Sequence, residues 1–465
     1  MNLWDAVSSL PALPLLFLTV ALIVAFGFEF INGFHDTANA ITTVIYTRTL
    51  SPTPAVIYSG VMNFIGALVT VLVGSAAVAF SIVNLLPDDL LIDANSNAAL
   101  AMVLSLLLAA VGWNLATWSL GLPVSSSHTL IGAILGVGIA NSLWKGEGLG
   151  GVNWANAGEV GLGLLISPVI GFVGAWALLL CMRRVLKEPR LYQPPVGDDR
   201  PPGWVRGVLI VTCGGVSFAH GSNDGQKGMG LLLLVLVGFL PAHYALTVNR
   251  PEMASEARTV AVELPAAYKL YGMTVTGQLA QDLSYLTTEL DGKASFDQVA
   301  DRWQVRQAIF RTTLELKRAE ADPATPAEAR SGLKAAQEKL TPAVEFVPIW
   351  VVVGTGLALG VGTMVGYKRI VVTVAEKIGK THLAYAQGAA AEAVAAVTIL
   401  VADLVHLPVS TTHVLSSGVA GTMVANGSGI QRQTCQKILL AWVLTLPAAM
   451  ILAGLLFTVG RLIVR

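Results

Sequence analysis

Nine apolar stretches leave this chain few folds to choose from. They lie at residues 11–32, 54–84, 98–118, 157–182, 207–218, 229–243, 346–366, 383–405 and 436–460. A helix needs about 20 apolar residues to cross a hydrocarbon core of roughly 30 Å, and inside that core only helices or closed barrels satisfy every backbone group. The pattern predicts an all-α polytopic membrane protein. Composition agrees: 12% of the 465 residues are charged and 54% are hydrophobic, whereas a soluble domain is about a quarter charged, which argues against a soluble enzyme. The 29 basic and 29 acidic side chains sum to zero, so the clustered cationic excess of a nucleic-acid binder is missing. Cys181, Cys213 and Cys435 stand far apart in or beside apolar runs, with neither a disulfide framework nor zinc spacing. The first stretch has no Lys or Arg ahead of it and runs on without a small-residue cleavage pattern into Gly33-Phe34-His35-Asp36. It reads as a retained helix, not a cleaved signal peptide.

The few charges are unevenly spread. Residues 246–345 carry 12 basic and 14 acidic side chains, and the other 365 residues carry only 17 and 15. A water-exposed insert within a lipid-embedded body is expected. Ser295 with Gln298, and Thr325 with Pro326 and Glu328, look like capped helix starts. Between them Val299, Trp303, Phe310 and Leu314 recur as on one face of a solvated bundle helix. The insert contains no nucleotide, metal or catalytic motif and is expected to be a regulatory or structural appendage.

Two motifs each occur twice, in the same order. Pro123-Val124-Ser125-Ser126-Ser127-His128 is echoed by Pro408-Val409-Ser410-Thr411-Thr412-His413. The register continues: Gly136 and Gly421 both lie eight residues past the histidine, Asn141 and Asn426 both thirteen. Upstream, Gly33–Ala40 pairs more loosely with Gly221–Gly228, matching at Gly33/Gly221 and Asp36/Asp224. Asp36 precedes His128 by 92 residues and Asp224 precedes His413 by 189; the insert accounts for the difference. The chain therefore divides into a first transmembrane repeat (1–182), a basic connection (183–206), the start of a second repeat (207–245), the insert (246–345) and the rest of the second repeat (346–465). Internal repeats of this kind build many secondary transporters, with a midplane site between halves and broken helices supplying ligands. The repeats are expected to be inverted, with broken helices at the carboxylates and a re-entrant hairpin at each Pro-Val-Ser element.

Each Pro-Val-Ser element precedes a Gly-rich apolar run of about 12 to 14 residues, too short to span the bilayer. Proline suits a helix start, and first-turn hydroxyls and free N–H groups at the positive end of a helix make an anion site. Two such sites, from Ser125, Ser126 and Ser127 and from Ser410, Thr411 and Thr412, could hold a tetrahedral oxyanion between them, or could be ordinary helix caps. Asp36 and Asp224 are carboxylates in apolar surroundings, costly enough to mark function. Beside an oxyanion they need a neutralising cation: a proton, sodium or a divalent metal. Imidazole is the side chain whose unperturbed pKa lies near working pH, so His35, His128, His220 and His413 are candidates for proton coupling, together with the carboxylates, or for metal ligation. Lys227 occupies the repeat position of Asn39, offering a fixed ammonium where the other half offers an amide. Neutralising Lys227 to Gln is expected to alter affinity or coupling more than folding.

These residues resemble the inorganic phosphate transporter family, and among its members the bacterial low-affinity phosphate permeases, over nearly the whole length. The match is carried by Asn32–Ala40, Pro123–Gly132, Ser217–Gly230 and Pro408–Leu415. The resemblance implies two inverted repeats with phosphate lined by Asp36, Asn39, Asn223, Asp224 and the hydroxyls of 125–127 and 410–412, with Lys227 added by its position. Sodium-coupled members have Gly-Ala-Asn-Asp followed by Val-Ala-Asn-Ala in both halves; His35, Gln226 and Lys227 depart from this. Similar bacterial permeases are thought to carry a neutral metal-phosphate complex with a proton. The expected partners are thus inorganic phosphate, a proton, a co-transported divalent cation such as Mg²⁺ and the bilayer of a bacterial inner membrane, with no permanently bound cofactor and no nucleic acid.

Three alternatives remain at this level besides sodium-coupled phosphate symport. An intramembrane hydrolase using Ser126 or Thr411 with a nearby histidine lacks an asymmetric nucleophile and a Gly-x-Ser-x-Gly elbow. A divalent-metal transporter is poorly served by doubled Ser/Thr tips. A membrane anchor leaves both motifs unexplained. Arg183, Arg184, Lys187, Arg190, Arg200 and Arg206, and Lys368, Arg369, Lys377 and Lys380, place their connections in the cytoplasm by the positive-inside rule. The sequence leaves open a homodimer, an assembly common among transporters.

Overall fold

The computed structural model describes residues 7–8, 10–72, 76–86, 97–150, 152–195, 200–248 and 250–463. Residues 73–75 of the expected span 54–84, 196–199 of the basic connection and 249 of the insert lie outside them. The chain forms two compact units. The larger comprises 19–87, 101–232 and 347–465, and the smaller 1–18, 88–100 and 233–346. Seven helices among the described residues are long and apolar enough to cross a membrane, or up to eight when Ile349–Val365 is taken with the helix before it. The protein is a multi-pass membrane protein.

In chain order the body helices are α1 (Ala12–Asp36), α2 (Ala38–Tyr46), α3 (Pro52–Leu72), α4 (Ala77–Val83), α5 (Asn97–Ser119), α6 (Ser126–Lys145), α7 (Trp154–Val185) and α8 (Gly203–Phe239). The insert supplies α9 (Glu252–Leu270), α10 (Gly277–Glu289), α11 (Arg302–Ala321) and α12 (Ala327–Val344), and α13 (Ile349–Val365), α14 (Tyr385–Leu404), α15 (Thr411–Asn426) and α16 (Arg432–Ile463) complete the body. Large apolar side chains such as Leu165 on α7 and Val443 on α16 are about 70% exposed (71% and 70%), as only a lipid-facing surface tolerates in such number.

Within the larger unit the helices pair reciprocally. The helix after the first Pro-Val-Ser element, α6, packs on α16, and its counterpart α15 packs on α7; α3 packs on α13. Both α7 and α16 are 32 residues long with an internal proline, Pro168 and Pro447. The repeat glycines lie at these contacts. A Cβ on Gly136 would overlap the carbonyl of Met450 in α16, and one on Gly421 would overlap that of Phe172 in α7. Gly33 lies in the same way against Leu359 of α13, and Gly221 against Asn63 of α3.

Several expectations need correction. The stretches 207–218 and 229–243 are not separate spans, because α8 runs without a break through Asp224. Its glycines serve close packing on α3, where Gly221 meets Asn63 and Gly225 meets Ala67. In the first half only a single residue, Thr37, with helical backbone angles, separates α1 from α2, and Ala12–Tyr46 counts as one 35-residue span. The run after Pro123 is a 20-residue helix that passes the length test for a span, whereas α15 is shorter, with 16 residues. Neither proline opens its helix: Ser125 and Ser410 are the N-caps in extended conformation, two residues further on.

In the smaller unit, α9 packs on α10 and α12, and α11 on α10 and α12. Thr247 N donates to Ala343 O at 3.0 Å, which joins the two ends of the insert. Ser295 caps only a short 3-10 turn, and α11 begins later, capped by Asp301 accepting from Gln304 N. Pro326, with no side-chain cap, precedes α12 in the place expected for Thr325. Val305, Ala308, Ile309, Thr312 and Leu316 form the buried face of α11, so Phe310 is buried but Trp303 and Leu314 lie at its edges. Arg306 is buried on the same helix, 5.4 Å from the Trp303 ring and 5.3 Å from that of Phe310. Desolvation lowers its pKa to about 10.

Candidate functional site

The two Pro-Val-Ser elements and both carboxylate segments meet within the larger unit, and the three hydroxyl positions of each element have distinct roles. The first closes its own helix: Ser125 accepts from His128 N at 3.2 Å and Ser410 from His413 N at 3.1 Å. For these two residues the ordinary capping role is the one observed. The second faces a carboxylate of its own half. Ser126 Oγ donates to Asp36 Oδ2 at 2.5 Å, and Thr411 Oγ1 lies 3.4 Å from Asp224 Oδ2. The third reaches the other half. Ser127 Oγ accepts from Lys227 Nζ at 2.6 Å, and Thr412 Oγ1 accepts from Asn39 Nδ2 at 3.2 Å. Asn39 and Lys227, equivalent in the repeat, thus hold equivalent hydroxyls across the interface between halves.

The carboxylates sit at the starts of these helices. Asp36 Oδ2 also accepts from Ser126 N at 3.3 Å, taking a backbone N–H that the first turn leaves free, and Asp36 Oδ1 lies 3.0 Å from His35 Nδ1. Asp224 Oδ1 pairs with Lys227 Nζ, and Asp224 Oδ2 lies 3.1 Å from His220 Nε2. Lys227 Nζ donates in addition to Val409 O at 3.2 Å. His220 Nδ1 lies 2.9 Å from Asn63 Oδ1 and 3.2 Å from Thr37 Oγ1, so the residue at the α1–α2 junction touches the second half. All of these side chains are buried.

Asp36, His220 and Asp224 each present a ligand atom within 4.8 Å of the other two, a group able to hold a metal ion. Two carboxylates and an imidazole suit a hard or borderline divalent cation. His35 is tied to Asp36 and to Thr117 Oγ1, the latter at 3.4 Å, and lies outside this triad. His128 and His413 form a pair of their own, with ring centroids 4.4 Å apart, and His413 stacks on Trp442 at 3.9 Å. No hydrogen bond among the described residues joins either ring to Asp36 or Asp224.

Asn223 Nδ2 donates to Asp403 Oδ1 at 2.5 Å, and Ser222 Oγ donates to Asp403 Oδ2; Asn223 Oδ1 has no partner. Asp403 was missed in the sequence, as were Glu29 and Glu392. Glu392 accepts from Thr212 Oγ1 at 2.5 Å and from Thr43 Oγ1. All three acids are buried within apolar helices. The rule that singled out Asp36 and Asp224 finds them when applied to every apolar stretch and not only to the repeated segments.

The sequence pattern described as the phosphate transporter family (PHO4) matches residues 32–453. The low-affinity inorganic phosphate transporters PitB and PitA of Escherichia coli (strain K12) are each 40% identical to the chain; the PitB match covers 96% of this chain and 97% of PitB, and the PitA match 95% and 96%. A probable low-affinity inorganic phosphate transporter of Bacillus subtilis is 28% identical over 97% of this chain and 99% of its own length. Among solved structures, a sodium-dependent phosphate transporter superposes with a TM-score of 0.60 over 96% of this chain and 99% of that one, at 18% identity, and so shares the fold. On the family pattern and these full-length relatives, the chain belongs to the phosphate transporter family.

Proposed function

We propose that this protein is a secondary active transporter that imports inorganic phosphate as a neutral complex with a divalent cation, in symport with a proton, across a bacterial inner membrane. One observation carries the reading. In both halves the first-turn hydroxyl of a Pro-Val-Ser helix faces the carboxylate opposite it, and in the first half a backbone N–H joins it. A helix start that already accommodates one oxyanion is built to accommodate another. Phosphate binds between the two starts, contacted by Ser126 and Thr411, with Asn39, Asn223, Ser127, Thr412 and Lys227 around it and Ser125 and Ser410 holding the helix ends in place. The divalent cation is cargo. It lies between Asp36, His220 and Asp224, where it separates the carboxylates from the phosphate.

Lys227 argues for protons over sodium as the coupling ion. Its ammonium is bonded to Asp224 and Ser127, where the equivalent Asn39 has an amide. An ammonium has no lone pair, so this position cannot supply the oxygen ligand that a sodium ion would take from an amide, whereas a proton needs only a base. The reciprocal pairs α6 with α16 and α15 with α7 support two inverted repeats, 1–182 and 207–465, the second carrying the soluble segment 246–345. Membership of a transporter family disposes of the hydrolase reading. The test is radiolabelled phosphate uptake into proteoliposomes. An inside-alkaline pH gradient with Mg²⁺ is expected to drive accumulation, about tenfold for each coupled proton per pH unit. Accumulation driven only by a sodium gradient contradicts the proton assignment, uptake of Mg²⁺ without phosphate favours the metal transporter, and no uptake under any gradient contradicts the function.

A further inference from the structure

Six acids are buried among the described residues: Glu29, Asp36, Asp224, Asp282, Glu392 and Asp403. Five have donors. Asp36 is held by Ser126, Asp224 by Lys227, Glu392 by Thr43 and Thr212, Asp403 by Ser222 and Asn223, and Asp282 of the insert by Arg311. Glu29 differs. It is 0% exposed, and neither carboxyl oxygen has a hydrogen-bond partner. The polar group beside it is the Asn32 side-chain amide, three residues on along α1, whose nitrogen makes no bond of good geometry. The Glu29 carboxyl lies directly on the backbone of Gly228: a Cβ there would overlap its Cγ, Cδ and Oε1.

The charged groups facing Glu29 are Asp224 and Lys227 from α8 and Asp36 from the end of its own helix. Lys227 cannot neutralise it, because its ammonium is engaged by Asp224, Ser127 and the Val409 carbonyl. An enclosed carboxylate with only a neutral amide beside it and no free cation among the described residues is far costlier than the neutral acid. A proton on Glu29 removes that cost, and water reaching the carboxyl in a more open arrangement would let the proton leave. Its contact is with the turn of α8 that carries Asp224 and Lys227, so movement of that turn as substrate binds or leaves changes the surroundings of Glu29.

We propose that Glu29 is the site that binds the coupling proton of the transport cycle. The inference rests on the proton-symport reading above, and its test separates the two. Full-length protein in proteoliposomes is assayed for radiolabelled phosphate counterflow at equal pH and for accumulation under an inside-alkaline gradient. Glu29→Gln is expected to keep counterflow within about threefold of the wild type and to lose the accumulation of about tenfold per pH unit that one coupled proton supports, while Glu29→Asp keeps both. Wild-type accumulation by Glu29→Gln under the gradient overturns the assignment. A wild type that exchanges phosphate but ignores the pH gradient overturns proton symport itself. Should Glu29→Gln lose counterflow as well, protons taken up on binding of magnesium and phosphate, measured calorimetrically in two buffers of different ionisation enthalpy, decide: one proton fewer than the wild type supports the assignment, and an unchanged count overturns it.

Discussion

Asn39 and Lys227 occupy one position of a repeated segment and hold equivalent hydroxyls, Thr412 and Ser127, with different chemistry. The sequence showed the substitution but not its consequence for folding. Because Lys227 forms a buried ion pair with Asp224, neutralising it leaves a carboxylate without its main partner, a loss of about 3–5 kcal/mol in comparable buried pairs. Contrary to the expectation from sequence, Lys227→Gln should therefore lower thermal stability in detergent as well as transport, and Asp224→Asn with Lys227→Gln should recover much of the stability but not the transport. A single variant as stable as the wild type contradicts this account of the pair. The separate roles of Ser125, Ser126 and Ser127 were not legible in advance, because they depend on which residue caps the helix. That is fixed by backbone conformation two residues past Pro123, and a run of three hydroxyls does not encode it.

At the level of elements, most apolar stretches became helices close to their expected bounds, because length and hydropathy alone specify a lipid-spanning helix. Two places depart: 54–84 gives α3 and the separate short α4, and 207–218 and 229–243 join in α8. Its central segment Gly221-Ser222-Asn223-Asp224-Gly225-Gln226-Lys227-Gly228 is polar and Gly-rich, which reads as a break. Buried beside α3, α6 and α15, those polar groups find partners and the glycines allow close approach, so the helix continues. Glycine at a helix crossing is also where the repeat can be tested. Gly421→Ala and Gly136→Ala each place a methyl group on an opposing carbonyl, and overpacking of this kind costs about 1–3 kcal/mol. Gly158→Ala on α7, with nothing within 4 Å of the added carbon, should be neutral or stabilising by up to about 1 kcal/mol. Thermal unfolding in detergent compares the three. Equal midpoints would contradict the reciprocal packing.

For the whole molecule, the segregation of charge marked out two environments. The structure adds that helices of the two halves pack reciprocally, with a hydroxyl from α6 and one from α15 each bonded to the opposite half. Under the proposed function, phosphate is held between these two helix starts by both halves alike. Equilibrium binding of radiolabelled phosphate to the purified protein, with Mg²⁺ at fixed pH, tests it most directly using Ser126→Ala, Thr411→Ala and the double variant. A hydrogen bond to a charged group contributes about 1.5–3 kcal/mol, so each single variant should bind at least about tenfold more weakly, and the double variant more weakly than either. Loss from only one of the two, or binding by the double variant at wild-type affinity, would contradict a site shared between the halves.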